Sequence, residues 1–193
     1  MYKLCKTKES AQRQREIEQT LLDLMQKKQY DEISVSEICE DADIPRKTFY
    51  RYFDGKEGVK QAILSHTMTD FEEYKQSSGI GKDGTLQEEF EEFFMFWKSK
   101  REVIEAFDKS GLIGVLIDSA TVYAKNEFGY IAPYLSGSNV GEKTIAYHFV
   151  ISGLLATMIN WYRSGFAETV PNMARSATRI MTRPLFENLT RTQ

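Results

Sequence analysis

Arg46, Lys47 and Thr48 follow Pro45 directly, and Tyr50, Arg51, Tyr52 and Lys56 come within the next few positions. Cations and hydroxyls at this density suit one kind of chemistry. They pair with phosphate oxygens, and an arginine can also grip a base edge with two hydrogen bonds. Proline is favoured in the first turn of a helix, where a missing N–H costs nothing. The cluster is therefore expected at a helix N-terminus, whose free N–H groups also favour anions. Between positions 45 and 60 there are five cations (Arg46, Lys47, Arg51, Lys56, Lys60) and two acids (Asp54, Glu57). The chain as a whole carries −3. Binding of a polyanion needs a local positive surface, not a basic average. An acidic remainder weakens non-specific sticking.

The elements around this cluster are helical. Ser10 to Lys28 repeats Ile17, Leu21, Leu22, Leu24 and Met25 at helical spacing. Ser36, followed by Glu37 and Glu40, is expected to cap a second helix that runs to about Ala42. Asp43 occupies the turn, a place where glycine or asparagine is more usual because the backbone needs positive φ. The third helix opens at Pro45. Phe49 and Phe53, four apart, are expected to face inward with Ile44, against Leu21 and Ile38, which leaves Tyr50 and Arg51 outward. Asp54–Gly55 ends it, and Lys56 begins a fourth helix that runs to about Lys75. Two short helices across a tight turn form a helix-turn-helix, whose second helix enters the major groove of DNA.

Each residue of the cluster also has a plainer reading. Arg46 and Lys47 contact bases or phosphates, or form a solvated basic face. Thr48 meets a phosphate or a thymine methyl, or supports the helix. One of Tyr50 and Tyr52 is a phosphate ligand and the other packs. Lys56 at a helix start opposes the helix dipole, which points to a phosphate partner. Ser36 meets phosphate or only caps.

Gln76 to Gly84 (QSSGIGKDG) reads as a linker. Helical segments follow at Thr85–Lys98, Arg101–Lys109, Leu112–Phe128, Glu142–Gly165 and Pro171–Leu189, with a Gly/Pro/Ser-rich break at 129–141. No strand-like alternation of useful length occurs, so the expected class is all-α. The expected organisation is a helix-turn-helix domain over 1–56, a connecting helix over 57–78 and a helical body over 79–193.

TFYRYFDGKEGV, preceded by SVSEICEDADIPRK, resembles the DNA-binding signature of the tetracycline-repressor (TetR) family of bacterial regulators. Thr48, Phe49, Tyr50, Tyr52, Phe53, Lys56 and Glu57 fall on the positions of that signature, and the resemblance covers residues 10–66. Asp43, Pro45 and Lys47 depart from the commoner residues there. FVISGLLATMINWYRSGFAETVPNMARSATRIM resembles, more loosely, the dimerisation helices of many members. The resemblance implies an all-helical homodimer with two reading heads on a palindromic operator and an effector-binding, dimerising body. It implies a repressor released by a small apolar effector. The alternative is a relative that acts as a co-activator or interaction protein through a partner.

In the body, Phe93, Phe94, Trp97, Phe107, Tyr123, Tyr147, His148 and Trp161 are the candidates for walling an apolar pocket. An ordinary helical core accounts for the same residues. Thr144 to Tyr162 is 19 residues without a formal charge, long enough for a membrane span. His148, Ser152 and Asn160 favour a subunit interface instead, where Gly153 and Ala156 allow close approach.

Of 193 residues, 41% are hydrophobic and 27% charged, which is ordinary globular composition. Cys5 and Cys39 show neither a disulfide framework nor zinc spacing. They fit a reduced, cytoplasmic setting, and the N-terminus lacks the apolar stretch of a secretory signal. His66 and His148 are the only histidines, and neither has a patterned nucleophile partner. No metal, no cofactor and no enzymatic activity are expected.

Overall fold

The computed structural model describes residues 1–3, 7–78, 84–126, 134–135 and 139–183. Nine α-helices occur among the described residues: α1 Lys8–Met25, α2 Val35–Asp41, α3 Arg46–Tyr52, α4 Lys56–Ser77, α5 Leu86–Ser99, α6 Arg101–Lys109, α7 Ile113–Asn126, α8 Val140–Arg163 and α9 Val170–Thr182. A 3-10 turn at Tyr30–Glu32 precedes α2. The chain forms two compact units. One holds Met1–Glu72 and Arg101–Ala120, the other Glu73–Lys100 and Thr121–Gln193.

In the first unit α1 is opened by a capping box between Thr7 and Ser10. Its apolar stripe puts Ile17, Leu21 and Met25 fully inside, where Ile38, Phe49, Phe53, Val59, Ile104 and Phe107 are also buried. This unit is not continuous in sequence, because α6 packs on α1. Ser110 Oγ donates to the Met25 carbonyl at 3.1 Å and Gln29 Nε2 to the Lys109 carbonyl at 3.1 Å, tying the end of α6 to the end of α1.

The expected cap at Ser36 is corrected to Ser34. Ser34 Oγ accepts from the Glu37 N–H at 3.2 Å, and the Glu37 carboxylate accepts from the Ser34 N–H at 2.9 Å. This is a reciprocal capping box, S-x-x-E, written in the sequence as Ser34-Val35-Ser36-Glu37. Ser36 therefore stands inside the first turn of α2, with its hydroxyl released from capping.

In the second unit α5 packs chiefly on α9 and also on α8. Thr85 and Glu88 form a capping box at its start. Phe90, Phe94, Phe96 and Trp97 are buried from α5, and Tyr147, Leu154, Leu155, Met158, Ile159 and Trp161 from α8. Phe94 and Trp161 meet edge to face with centroids 5.6 Å apart, a geometry that aromatic pairs favour. Lys75, near the end of α4, is buried between two glutamates of α5: its ammonium lies 2.5 Å from Glu89 Oε2 and also contacts Glu92 Oε2.

Most of the expected linker (79–83), most of the 129–141 break and the end of the expected last helix (184–189) lie outside the described residues, as does Cys5.

Candidate nucleic-acid interface

The turn between α2 and α3 is made by backbone hydrogen bonds. Ile44 N–H donates to the Cys39 carbonyl at 2.9 Å and Asp43 N–H to the Glu40 carbonyl at 3.1 Å. These are the two bonds of a Schellman motif, which places the residue after the cap in the left-handed region. Asp43 occupies that place with φ 49°. Pro45 follows as the N-cap of α3, not its first helical residue, and its carbonyl accepts from Thr48 N–H at 2.8 Å and Phe49 N–H at 3.2 Å.

Phe49 and Phe53 are fully buried, and their rings lie 5.6 Å apart. Ile44 is half-buried. The inward pull of these side chains determines which residues α3 presents. Arg46, Lys47, Tyr50 and Arg51 are exposed, and Thr48 is half-buried. Tyr50 keeps an edge-to-face contact with Phe49 at 5.4 Å while nearly half its surface is open. Of the two tyrosines it is Tyr52 that packs: it is buried, and Arg51 lies over its ring at 5.2 Å. Arg46 donates a guanidinium N–H to Ser36 Oγ, so the released hydroxyl of α2 holds the arginine at the tip of α3. The Lys47 side chain makes no hydrogen bond or ion pair among the described residues.

Lys56 has a different place from the one expected. Its ammonium donates to the carbonyls of Tyr30 at 2.7 Å, Asp31 at 3.1 Å and Ile33 at 2.9 Å, and sits 4.6 Å from the Tyr30 ring centroid. An ammonium has three donors, and all three close the end of the 3-10 turn. The acceptors lie 23 to 26 positions away in sequence, so no local pattern pointed to them. Nearby, Lys28 donates to Glu37. That bond, with the Ser34 N–H and hydroxyl, lowers the Glu37 carboxyl to about 2. Burial raises the thiol of Cys39 above its ordinary range, against the pull of the Arg46 charge.

The eight aromatic and histidine candidates fall in different surroundings. Phe107 is fully buried in the first unit, while the other seven belong to the second. Phe94, Trp97, Tyr147 and Trp161 are buried core residues; Phe93, Tyr123 and His148 are half-buried. The second unit has an open apolar groove of about 450 Å³ lined by Leu86, Phe90, Ile145, Phe149, Ile180 and Met181 among others, and none of the eight lines it. Its walls come from α5, α8 and α9. The sequence signal for it is the spacing Ile145–Phe149, one helical turn apart, which is fainter than the dense aromatics of α5.

Residues 19–63 match the model of the bacterial regulatory proteins of the tetR family. The match gives this segment the character of a TetR-family DNA-binding domain. The match covers the helix-turn-helix just described. The matched segment is a DNA-binding helix-turn-helix of the kind that bacterial transcription regulators carry. Solved structures share the whole fold at low identity. A TetR transcriptional regulator from Streptococcus agalactiae is 15% identical over 91% of this chain and 96% of that one, with a TM-score of 0.65. The fatty acid degradation regulator FadR from Bacillus halodurans is 15% identical over 90% and 96%, TM-score 0.61. The dihydroxyacetone kinase operon activator DhaS is 19% identical over 88% and 94%, TM-score 0.59. At these identities the likeness concerns the fold alone. No curated protein sequence matches the chain.

Proposed function

We propose that this protein is a cytoplasmic, non-enzymatic regulator of the TetR family that binds a palindromic operator as a homodimer, through α3 of each head. The observation that carries the reading is the division of α3 into two faces. Phe49 is fully buried while Arg46, Lys47 and Tyr50 stand out on the other side. Arg46 and Lys47 reach base edges or phosphates, Tyr50 and Thr48 add hydroxyl contacts, and Ser36 orients Arg46. Arg51 lies at the edge of this surface. Tyr52 and Lys56 support the head from within.

The dimer forms through α8 and α9. Val140, Ile145 and Phe149 on α8 and Ile180 on α9 are exposed, and an apolar face of that extent is covered in a stable soluble protein. By length and composition α8 is also the helix, among the described residues, that qualifies as a membrane span. A second copy is favoured as the cover because α8 buries a core face with Leu154, Leu155, Met158 and Trp161. The body takes a small apolar effector, and its binding releases a repressor by favouring one of two head arrangements. The alternative is an activating role through a partner. The name of one structural neighbour, an operon activator, supports keeping it.

The test selects duplexes from a random pool with the full-length protein and measures the selected duplex by fluorescence anisotropy at two salt concentrations. The expected result is a two-fold symmetric consensus, bound with steep salt dependence. A monomeric protein with no duplex preference at low salt overturns the reading.

A further inference from the structure

We propose that the N-terminal strand Met1–Lys3 is a positioning element for α3: it ties the α3–α4 corner to α1 and α4 and so sets the angle at which Arg46, Lys47 and Tyr50 are presented. The proposal rests on the DNA-reading role given to α3 above.

Tyr2 and Phe53 form an antiparallel bridge. Lys3 N–H donates to the Tyr52 carbonyl at 2.9 Å, and the Met1 carbonyl accepts from Asp54 N–H at 3.2 Å. The Lys3 ammonium donates to the Tyr50 carbonyl at 2.9 Å. The last carbonyls of a helix lack partners within it, and a cation there suits the helix dipole. The strand therefore holds the exit of α3 by main chain and side chain together.

The strand is anchored on its other side. Gln14 of α1 donates to the Lys3 carbonyl at 3.2 Å. Tyr2 Oη donates to Ser65 Oγ of α4 at 2.9 Å, and the Tyr2 ring meets the His66 ring at 5.6 Å. His66 Nδ1 lies 2.9 and 3.0 Å from the two carboxylate oxygens of Glu18 on α1. Two ion pairs to Asp54, from the N-terminal ammonium at 3.8 Å and from Lys3 at 3.9 Å, are open to water and add little.

Gly58 is the sharpest evidence for the fit. It is the third residue of α4, and a Cβ there would stand 2.3 Å from the Met1 carbonyl oxygen. Glycine is a poor residue for a helix compared with alanine. The close approach of the strand gives a reason for it.

Gly58→Ala in the full-length chain tests the proposal. The substitution improves helix propensity, so a loss at α3 comes from displacing the strand. Without DNA, amide exchange over Thr48–Phe53 is expected to quicken at least tenfold, while exchange of Leu154–Trp161 in α8 stays unchanged. The affinity of the folded protein for a duplex selected by the wild type is expected to weaken at least tenfold, with the slope of log affinity on log salt unaltered, since the same phosphates are neutralised. Where this variant fails to fold, Tyr2→Ala with Gln14→Ala removes the side-chain ties and gives the same readouts. Unchanged exchange at α3 overturns the proposal. So does a lower melting temperature with undiminished affinity of the folded protein, the mark of a merely structural strand. A shallower salt slope also overturns it, by making the strand itself a phosphate ligand. If the wild type selects no duplex, the exchange measurement still decides the positioning claim, and the failure belongs to the DNA-reading assignment.

Discussion

Arg46, Lys47 and Lys56 share a charge but not a role, because their neighbours differ. Arg46 bonds a hydroxyl at the surface and the Lys47 side chain has no hydrogen-bond or ion-pair partner among the described residues, whereas Lys56 is held by three carbonyls. Arg46→Ala with Lys47→Ala should weaken binding of the selected duplex by at least tenfold. The salt slope should fall by about 0.9 for each phosphate that the variant no longer neutralises. Lys56→Met should behave oppositely. It removes the donor from three carbonyls and should lower unfolding free energy by about 1–2 kcal/mol, seen in urea titration, with the salt slope intact. Glu37 supplies a pH signature. Its carboxyl is lowered from 4.5 to about 2 by the Lys28 bond and the Ser34 cap. A depressed carboxylate contributes its full stabilisation above the unfolded value and loses it as pH falls toward the folded one. Acid titration of the wild type should therefore show a loss of stability between about pH 4.5 and 2 that Glu37→Gln flattens.

At the scale of elements, the α2–α3 turn and the α4–α5 junction carry opposite kinds of constraint. The turn needs one left-handed residue, and aspartate tolerates that region better than most. Asp43→Val, with a branched Cβ, should lose about 1–2 kcal/mol in the same urea titration, and Asp43→Gly should not. The α4–α5 junction instead depends on charge. Lys75 is almost fully enclosed and meets both Glu89 and Glu92. Lys75→Met leaves two buried carboxylates without their cation and should cost about 3–5 kcal/mol. Trp97 and Trp161 are the only tryptophans and both belong to the second unit. Intrinsic fluorescence during denaturation therefore reports this loss in that unit specifically.

For the whole molecule, the apolar surface of α8 and the two-headed reading are one claim. Ile145→Glu with Phe149→Glu puts charge on exposed positions, so the subunit core should survive. Sedimentation should then show a monomer. The salt slope on the selected duplex should fall to about half, because one head neutralises half the phosphates. An unchanged sedimentation coefficient would place the interface elsewhere on the body.

Much was legible along the chain because its causes are local. Helical periodicity, the glycines and prolines that interrupt it, and the spacing of Phe49 and Phe53 act over a turn or two of backbone. The all-α class and the position of the helix-turn-helix followed from them. The left-handed place of Asp43 did too, since a turn of that length demands it. The Ser34 box was equally local, and the attraction of Ser36 beside two acids hid it. Other features were decided only in three dimensions. Tyr52 packs while its neighbour Tyr50 stays open, Lys56 closes a turn far back in the sequence, and Phe107 joins the core of the first unit through α6. Side-chain type and spacing determine what a residue can bond to. Which acceptor arrives within 3 Å depends on how distant segments pack, and no stretch of sequence shorter than the fold contains that information.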